Sequence, residues 1–183
     1  MKSFFTNSFL LFMICTSLVQ AQEFRELNWL ELLPESDKNA LLSQPAIQHG
    51  SEQSEDSRPK LGGNLGAKPI SDSQVSQAWQ STNIVPEFDK KNVRLPGFVV
   101  PLEFDGAQNV TEFFLVPYFG ACIHTPPPPP NQIIYVKVPG GFELKSIYEP
   151  YYVEGTMEIA MTHKEIGISA YSMTAKNVKL YSK

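Results

Sequence analysis

Residues 113–138 read FFLVPYFGACIHTPPPPPNQIIYVKV, and the rest of the chain is organised around this stretch. Its apolar, aromatic start is typical of a buried strand, and a second strand is predicted from Ile133 onward. Between the two strands lie Cys122 and His124, two positions apart, followed by the five prolines 126–130. The residues with unusual chemistry therefore lie in one bridge between two strands.

The prolines restrict the backbone of this bridge. Proline fixes its own φ and has no N–H, so residues 126–130 are predicted to form a stiff polyproline II arm of about 15 Å. The residue before a proline is driven to an extended conformation, which favours an extended backbone for residues 122–125. Residues i and i+2 of an extended segment share a face, and this places Cys122 beside His124.

Three interpretations of Cys122 and His124 are open. A thiolate and an imidazole on one face supply half of a zinc or copper site. The same two groups could act as a nucleophile and its base. In the structural interpretation, the cysteine is simply buried and the histidine is hydrogen-bonded within a tight loop. A third metal ligand would have to come from elsewhere, and His163, in a predicted turn, is a candidate.

The N-terminus has the features of an export signal. Lys2 precedes an apolar core at residues 9–14, and Val19-Gln20-Ala21 is a suitable cleavage site. Residues 1–21 are therefore predicted to be a cleaved signal peptide, and the mature protein is expected in the periplasm. Because no second long apolar segment follows, the mature chain is predicted not to span a membrane.

Charge and cysteine content limit the possible functions. The chain has 15 Lys and Arg against 19 Asp and Glu, and loss of Lys2 on cleavage changes the formal net charge from −4 to about −5. This acidic balance argues against nucleic acid as a partner. Cleavage also removes Cys15 and leaves Cys122 as the single cysteine. No intramolecular disulfide can then form, and a solitary exported thiol is typically buried, metal-bound or reactive.

The rest of the chain divides into three regions. Residues 22–43 are predicted to form a helical lead-in whose Trp29 and leucines dock on the main domain. Residues 44–73 are rich in Ser, Gln, Gly, Pro and charge, which is typical of a flexible linker. A brief helix is expected at 73–79, at the start of a β domain that covers residues 74–183.

The β domain shows five or six short strands separated by turn residues. Pro96-Gly97 is predicted to bend the first strand off a regular ladder, and Pro139-Gly140-Gly141 to end the third. This pattern predicts a mainly β fold, either a small OB-like barrel or a curved antiparallel sheet. The predicted strands are 93–102, 113–118, 133–138, 151–161 and one from 167 that extends towards 180.

Three stretches of the chain resemble the DUF3299 family of exported bacterial proteins. They are LPGFVVPLEFD at 95–105, EFFLVPYFGACIHTPPPPPNQIIYV at 112–136 and YVEGTMEI at 152–159, and the resemblance covers about residues 25–181. It implies an exported OB-type barrel, here with a reduced connector at 142–150. It also implies an association with ABC-transporter components and, in some gene sets, a response to zinc. The family is named for having no assigned function, so the resemblance implies no reaction.

The leading hypothesis is a periplasmic accessory or binding protein that uses the bridge as its recognition site. Cys122 and His124 would contact a metal, with zinc as the first candidate, or a cell-envelope protein such as an ABC-transporter component. The predicted binding residues are Tyr118, Phe119, Pro126, Pro127, Pro128, Asn131 and Gln132.

Two alternatives belong to other classes of protein. In the first, a thiol-dependent enzyme uses Cys122 as nucleophile and His124 as base. Such an enzyme also needs an orienting group and an oxyanion donor, and the sequence indicates neither, so an enzyme is not favoured. In the second, the bridge is purely structural and the chain is an interaction protein.

Overall fold

The computed structural model describes residues 23–42, 72–121 and 127–181. Residues 1–21 and nearly all of the predicted linker lie outside these ranges. Within them the strands are β1 (Arg25–Glu26), β2 (Asn92–Phe104), β3 (Val110–Val116), β4 (Ile134–Phe142), β5 (Tyr151–Glu158), β6 (Thr162–Lys164), β7 (Gly167–Ser169) and β8 (Tyr171–Leu180). The α-helices are α1 (Glu35–Leu42) and α2 (Asp72–Trp79), and 3-10 helices occupy Trp29–Leu32, Pro86–Phe88 and Pro130–Gln132.

Five of these strands close into a barrel. Their order is β2-β3-β4-β8-β5, and β5 pairs back with β2. All of these pairs are antiparallel except β4 with β8, which is parallel. A closed five-stranded barrel is the architecture of the OB-fold, so the predicted mainly β, OB-like fold is confirmed. The short β1 adds a parallel edge to β2, and β6 and β7 form a separate hairpin.

Strand β2 closes the barrel because it changes partner half-way along. Its residues up to Gly97 pair with β5, and those from Phe98 onward pair with β3. The expectation that Pro96-Gly97 would leave the ladder was wrong, since Gly97 pairs in register with Tyr151. A Cβ at Gly97 would lie 2.8 Å from Leu115 Cδ1, so the absence of a side chain lets β2 pass close to β3.

Strand β4 continues where the sequence predicted its end. It passes through Pro139-Gly140-Gly141 to Phe142, which pairs with Val110. Gly140 has φ +88° and Gly141 has φ +66°, conformations that residues with a Cβ rarely adopt. The two glycines lie in the register shift between the pairs Glu112–Lys137 and Val110–Phe142, so the pairing is interrupted there and resumes at Phe142.

The inward-facing side chains of the barrel and the lead-in share one core. Leu27 and Leu32 are buried in the same cluster as residues from all five barrel strands. The Trp29 indole N–H donates to the Pro96 carbonyl at 2.7 Å, so the predicted docking of the lead-in is confirmed. The predicted helix near 73–79 is also confirmed as α2. Within the described ranges, no helix combines the length and the apolar content needed to cross a membrane.

Candidate binding site at the bridge between β3 and β4

The structure describes the two ends of the bridge. At the first end, Tyr118 and Phe119 are exposed to 39% and 47%. At the second end, Pro127 is exposed and Pro128 is buried. Cys122, His124 and Pro126 lie outside the described residues. The contacts of the predicted Cys122–His124 pair therefore stay a prediction.

Phe119 lies at the rim of an apolar groove. Its ring centroid lies 6.0 Å from that of Phe98 on β2 and 5.1 Å from that of Tyr148, in the connector after β4. Ile147 and Tyr148 beside it are exposed to 39% and 70%. The groove has a volume of about 70 Å³ and is lined by Phe98, Val99, Val100, Pro101, Val116, Phe119, Gly120, Ala121 and Ile147.

The groove is the exposed end of a second apolar cluster, on the outer face of the barrel. Phe114, Val116, Ala121, Ile133 and Tyr135 are buried there, and Phe98, Val100 and Leu102 pack against them. This cluster exists because β2, β3 and β4 carry apolar side chains on both faces. The floor of the groove is consequently part of the packed sheet.

The far end of the bridge is anchored in the interior. Asn131 is 0% exposed, and its Nδ2 donates to Asp37 Oδ2 at 2.9 Å and to the Asn83 carbonyl at 3.0 Å. Gln132, 7% exposed, donates through Nε2 to the Trp29 carbonyl at 2.9 Å. These two side chains thus hold the lead-in against the barrel, and the structure does not bring them to the groove.

The proline arm is shorter and less exposed than the sequence predicts. Pro129 has φ −59° and ψ 152°, which is polyproline II geometry, but Pro130 begins a 3-10 helix. The Gln132 N–H donates to the Pro129 carbonyl at 2.7 Å, and the Ala170 N–H donates to the Pro130 carbonyl at 2.8 Å. The expectation of a polyproline II arm through residue 130 was therefore wrong at its last residue, because this end is tied down by backbone hydrogen bonds.

A charged cluster joins the β6–β7 hairpin to the outer face of β3 and β4. Lys164 Nζ lies 2.9 Å from Glu112 Oε2 and 5.2 Å from the centroid of the Tyr135 ring. Hydrogen bonds from the Tyr135 hydroxyl and from Lys164 hold the pKa of Glu112 below its usual value. Burial, with the nearby Glu112 carboxylate, raises the pKa of Tyr135 to about 12. The phenol therefore remains a hydrogen-bond donor across the ordinary pH range.

This cluster predicts a pH-dependent stability. A carboxyl whose pKa is lowered by folding stabilises the protein above its unfolded pKa of about 4.3, and that contribution is lost as the pH falls through the folded value. Glu112→Gln should lower the free energy of unfolding by about 1 kcal/mol at pH 7, with the difference vanishing in strong acid. Urea denaturation between neutral pH and pH 3 measures this. Glu158→Gln, at an exposed position of β5 that pairs with Ser172, is the control. A wild-type advantage that persists undiminished at pH 3 would contradict the assignment.

His163 was the candidate for a third metal ligand. It lies exposed in β6, opposite Ile168 of β7. In the described part of the chain, no group of three His, Cys, Asp or Glu residues is placed to hold a metal ion. The expectation of zinc therefore depends on Cys122 and His124.

Comparison with known proteins identifies the family. The model of the family described as "Protein of unknown function (DUF3299)" matches residues 29–180. The chain belongs to the DUF3299 family. A crystal structure of a DUF3299 family protein from Pseudomonas aeruginosa PAO1 is 35% identical, with a TM-score of 0.61, and the match covers 88% of this chain and 98% of that one. The DUF3299 barrel is thus shared with a solved relative.

Other comparisons add no functional information. A crystal structure of a protein described as a putative aspartyl-tRNA synthetase from Leishmania major Friedlin is 15% identical over 52% of this chain and 18% of that one. Its TM-score of 0.33 supports no inference. No curated protein matches the chain.

Sequence reasoning placed Tyr118 and Phe119 at the site but missed the residues that surround them. Phe98 comes from β2, and Ile147 and Tyr148 come from the connector between β4 and β5. In the sequence, only the aromatic and aliphatic side chains of this connector hint that it belongs to a binding site. Nothing in the sequence indicates that these side chains meet Phe119.

Proposed function

We propose that this DUF3299 protein is a periplasmic accessory or binding protein. Its partner is a protein of the cell envelope, an ABC-transporter component, which docks on the groove beside Tyr118 and Phe119. The signal-like N-terminus and the resemblance to exported proteins support the compartment, and the resemblance supports the kind of partner. The protein has a recognition role and no catalytic role in this proposal.

The observation that carries the proposal is the exposed aromatic rim of an apolar groove. Aromatic side chains are enriched among the residues that dominate binding energy at protein interfaces. Phe119 is half exposed, yet its ring already packs between Phe98 and Tyr148. A side chain that is held in place before binding loses less conformational entropy when a partner covers it. The rim is therefore aromatic and already ordered, and both properties favour the binding of a protein partner.

The mature protein and one exposed-residue variant test this role. Phe119→Ser should reduce retention on membranes that carry the transporter component by about tenfold, as expected for an interface anchor. The matched control is Phe104→Ser, because Phe104 is 51% exposed and does not line the groove. Equal retention of the two variants, or no retention of the wild type, would contradict the proposed surface. Circular dichroism should show both variants folded, although Phe119→Ser should be slightly less stable because it loses ring contacts with Phe98 and Tyr148.

The proposal includes a metal-dependent element at Cys122 and His124, with zinc as the candidate ion. Cys122→Ser should sharply lower zinc affinity, because a hydroxyl is a much poorer ligand than a thiolate. His124→Ala should have the same effect, and the double variant should add little if both residues bind one ion. The measurement is zinc content and melting temperature of the mature chain, with and without a chelator. Absence of bound zinc together with an unchanged melting temperature would rule out the zinc site. The proposed docking role of the groove would still stand.

A thiol-reactive probe separates recognition from thiol chemistry. A nucleophilic cysteine is activated as the thiolate and labels rapidly at neutral pH. We expect slow labelling of Cys122 in the metal-loaded or buried state. Rapid labelling that depends on His124 would instead support the thiol-dependent enzyme.

A further inference from the structure

A polar cleft lies between α1 and α2, away from the apolar groove. Its volume is about 240 Å³, and it shares no lining residue with the groove. Of the eight described residues that line it, six have polar side chains, whereas the groove is lined almost entirely by apolar atoms. The lining residues are Ser36, Asp37, Ala40, Gln74, Gln77, Ala78, Ser81 and Asn83.

Among the described residues that line the cleft, Asp37 alone is charged, and it is only 6% exposed. Its Oδ1 accepts from the Ser36 hydroxyl at 3.1 Å, and its Oδ2 accepts from Asn131 Nδ2 at 2.9 Å. No ion pair among the described residues includes Asp37, since the neighbouring Lys38 pairs with Glu35 at 2.6 Å. Burying a carboxylate is costly unless a cation compensates it. The cleft therefore has a charge that the described part of the protein leaves uncompensated.

The carboxylate is held rigidly by neutral groups. Asn131 is itself 0% exposed, and the Nδ2 that donates to Asp37 also donates to the carbonyl of Asn83, another wall of the cleft. A carboxylate has about four acceptor sites, and these bonds occupy two of them. Asp37 is thus positioned with acceptor capacity to spare beside a solvent-accessible cleft.

We propose that this cleft binds a small organic cation through a protonated primary amine. An ammonium group has three N–H donors, and Asp37 with the amide and hydroxyl oxygens of its neighbours supplies acceptors for them. Calcium and magnesium sites require more oxygen ligands in fixed geometry, and the described residues offer one carboxylate here. The volume lies below the usual range for drug-sized ligands, which favours a short molecule.

The charges of the described lining residues also indicate which amines can bind. No Lys, Arg or His is among the described residues that line the cleft, so an anionic group on the ligand would have no cationic partner there. Amino alcohols and short diamines therefore fit better than zwitterionic amino acids. This assignment is independent of the groove and of any role for Cys122.

Amide shifts of the full mature chain, labelled with nitrogen-15, test the proposal. The probes are ethanolamine and putrescine, with ethylene glycol and 1,4-butanediol as their uncharged counterparts. We expect saturable shifts in α1 and α2 with the two amines and none with the diols. Absence of saturable shifts, or equal shifts with amines and diols, would overturn the proposal. Stronger binding of calcium or magnesium at the same amides would replace it with a metal site.

Two variants with a matched control locate the effect at Asp37. Asp37→Asn should reduce amine affinity by about tenfold or more, because a hydrogen bond to a charged group is lost. Glu35→Gln removes the same charge from an exposed side chain of the same helix and should leave affinity unchanged. Gln77→Lys keeps Asp37 intact and places a tethered ammonium on an exposed wall of the cleft, so it should also abolish the response. Wild-type affinity in Gln77→Lys would overturn the proposal even if Asp37→Asn fails to fold.

Discussion

Gly155→Ala is expected to destabilise the barrel by about 3 kcal/mol or more. Gly155 lies in β5 where its pairing with β8 shifts register, and the two backbones approach closely there. A Cβ at this position would overlap the Thr174 carbonyl oxygen and would lie 2.9 Å from Ala175 Cα. Both obstacles are backbone atoms, so the clash cannot be relieved by a change of rotamer. Strands β5 and β8 would therefore have to separate at this point of the barrel.

Chemical denaturation with circular dichroism measures the effect of Gly155→Ala. Gly106→Ala is the matched control, because a Cβ at Gly106 would meet no heavy atom within 4 Å. The control should change the free energy of unfolding by less than about 1 kcal/mol. Equal stabilities of the two variants would show that β5 and β8 do not approach as described.

Tyr171→Phe is expected to lower the free energy of unfolding by about 2 to 4 kcal/mol. The Tyr171 side chain is fully buried, and its hydroxyl donates to the Leu32 carbonyl at 2.9 Å. The same hydroxyl accepts from the Val85 N–H at 2.7 Å. Phenylalanine keeps the ring but leaves the buried Leu32 carbonyl and the partly buried Val85 N–H without this partner. One oxygen atom on β8 therefore stabilises both the lead-in and the segment before β2.

The control for Tyr171→Phe is Tyr148→Phe, since Tyr148 is 70% exposed. Hydrogen exchange gives a second readout, because the Val85 amide should lose protection only in the Tyr171 variant. A stability within about 0.5 kcal/mol of the wild type would contradict the assigned hydrogen bonds. Loss of stability with full protection of Val85 would place the effect elsewhere in the core.

The strand pattern was predictable because alternation is a local property. Tyr151, Val153 and Met157 of β5 are buried in the core, and the alternate positions 154, 156 and 158 carry polar side chains, so the barrel side of this strand can be read without any partner. Turn residues were less reliable indicators of where a strand is interrupted or ends. Pro96-Gly97 was expected to leave the ladder but pairs within it, whereas Pro139-Gly140-Gly141 was expected to end β4 but lies in a register shift, after which β4 pairs again. Whether a glycine ends a strand or bends it depends on the neighbouring strand, which one sequence does not specify.

The candidate sites were predictable only in part, because the sequence does not specify which distant residues become neighbours. Tyr118 and Phe119 were identified from their position beside the bridge, but the groove exists because Phe98 and Tyr148 meet Phe119 from other elements. Asn131 and Gln132 were expected to frame the site, and the structure buries them as anchors of the lead-in. The sequence around a polar loop residue looks the same whether its side chain faces solvent or hydrogen-bonds to a buried carbonyl.

The sequence by itself determined the family, the mainly β class and the strands whose apolar alternation forms the core. These properties follow from side-chain chemistry read along the chain. Only the tertiary structure decided that β2 closes the barrel by changing partner after Gly97, that Asp37 is buried beside a polar cleft and that an aromatic rim borders an apolar groove. Each of these depends on contacts between residues far apart in sequence, such as the 94 positions between Asp37 and Asn131. Such contacts are set by how strands and helices pack, and packing is a property of the whole chain.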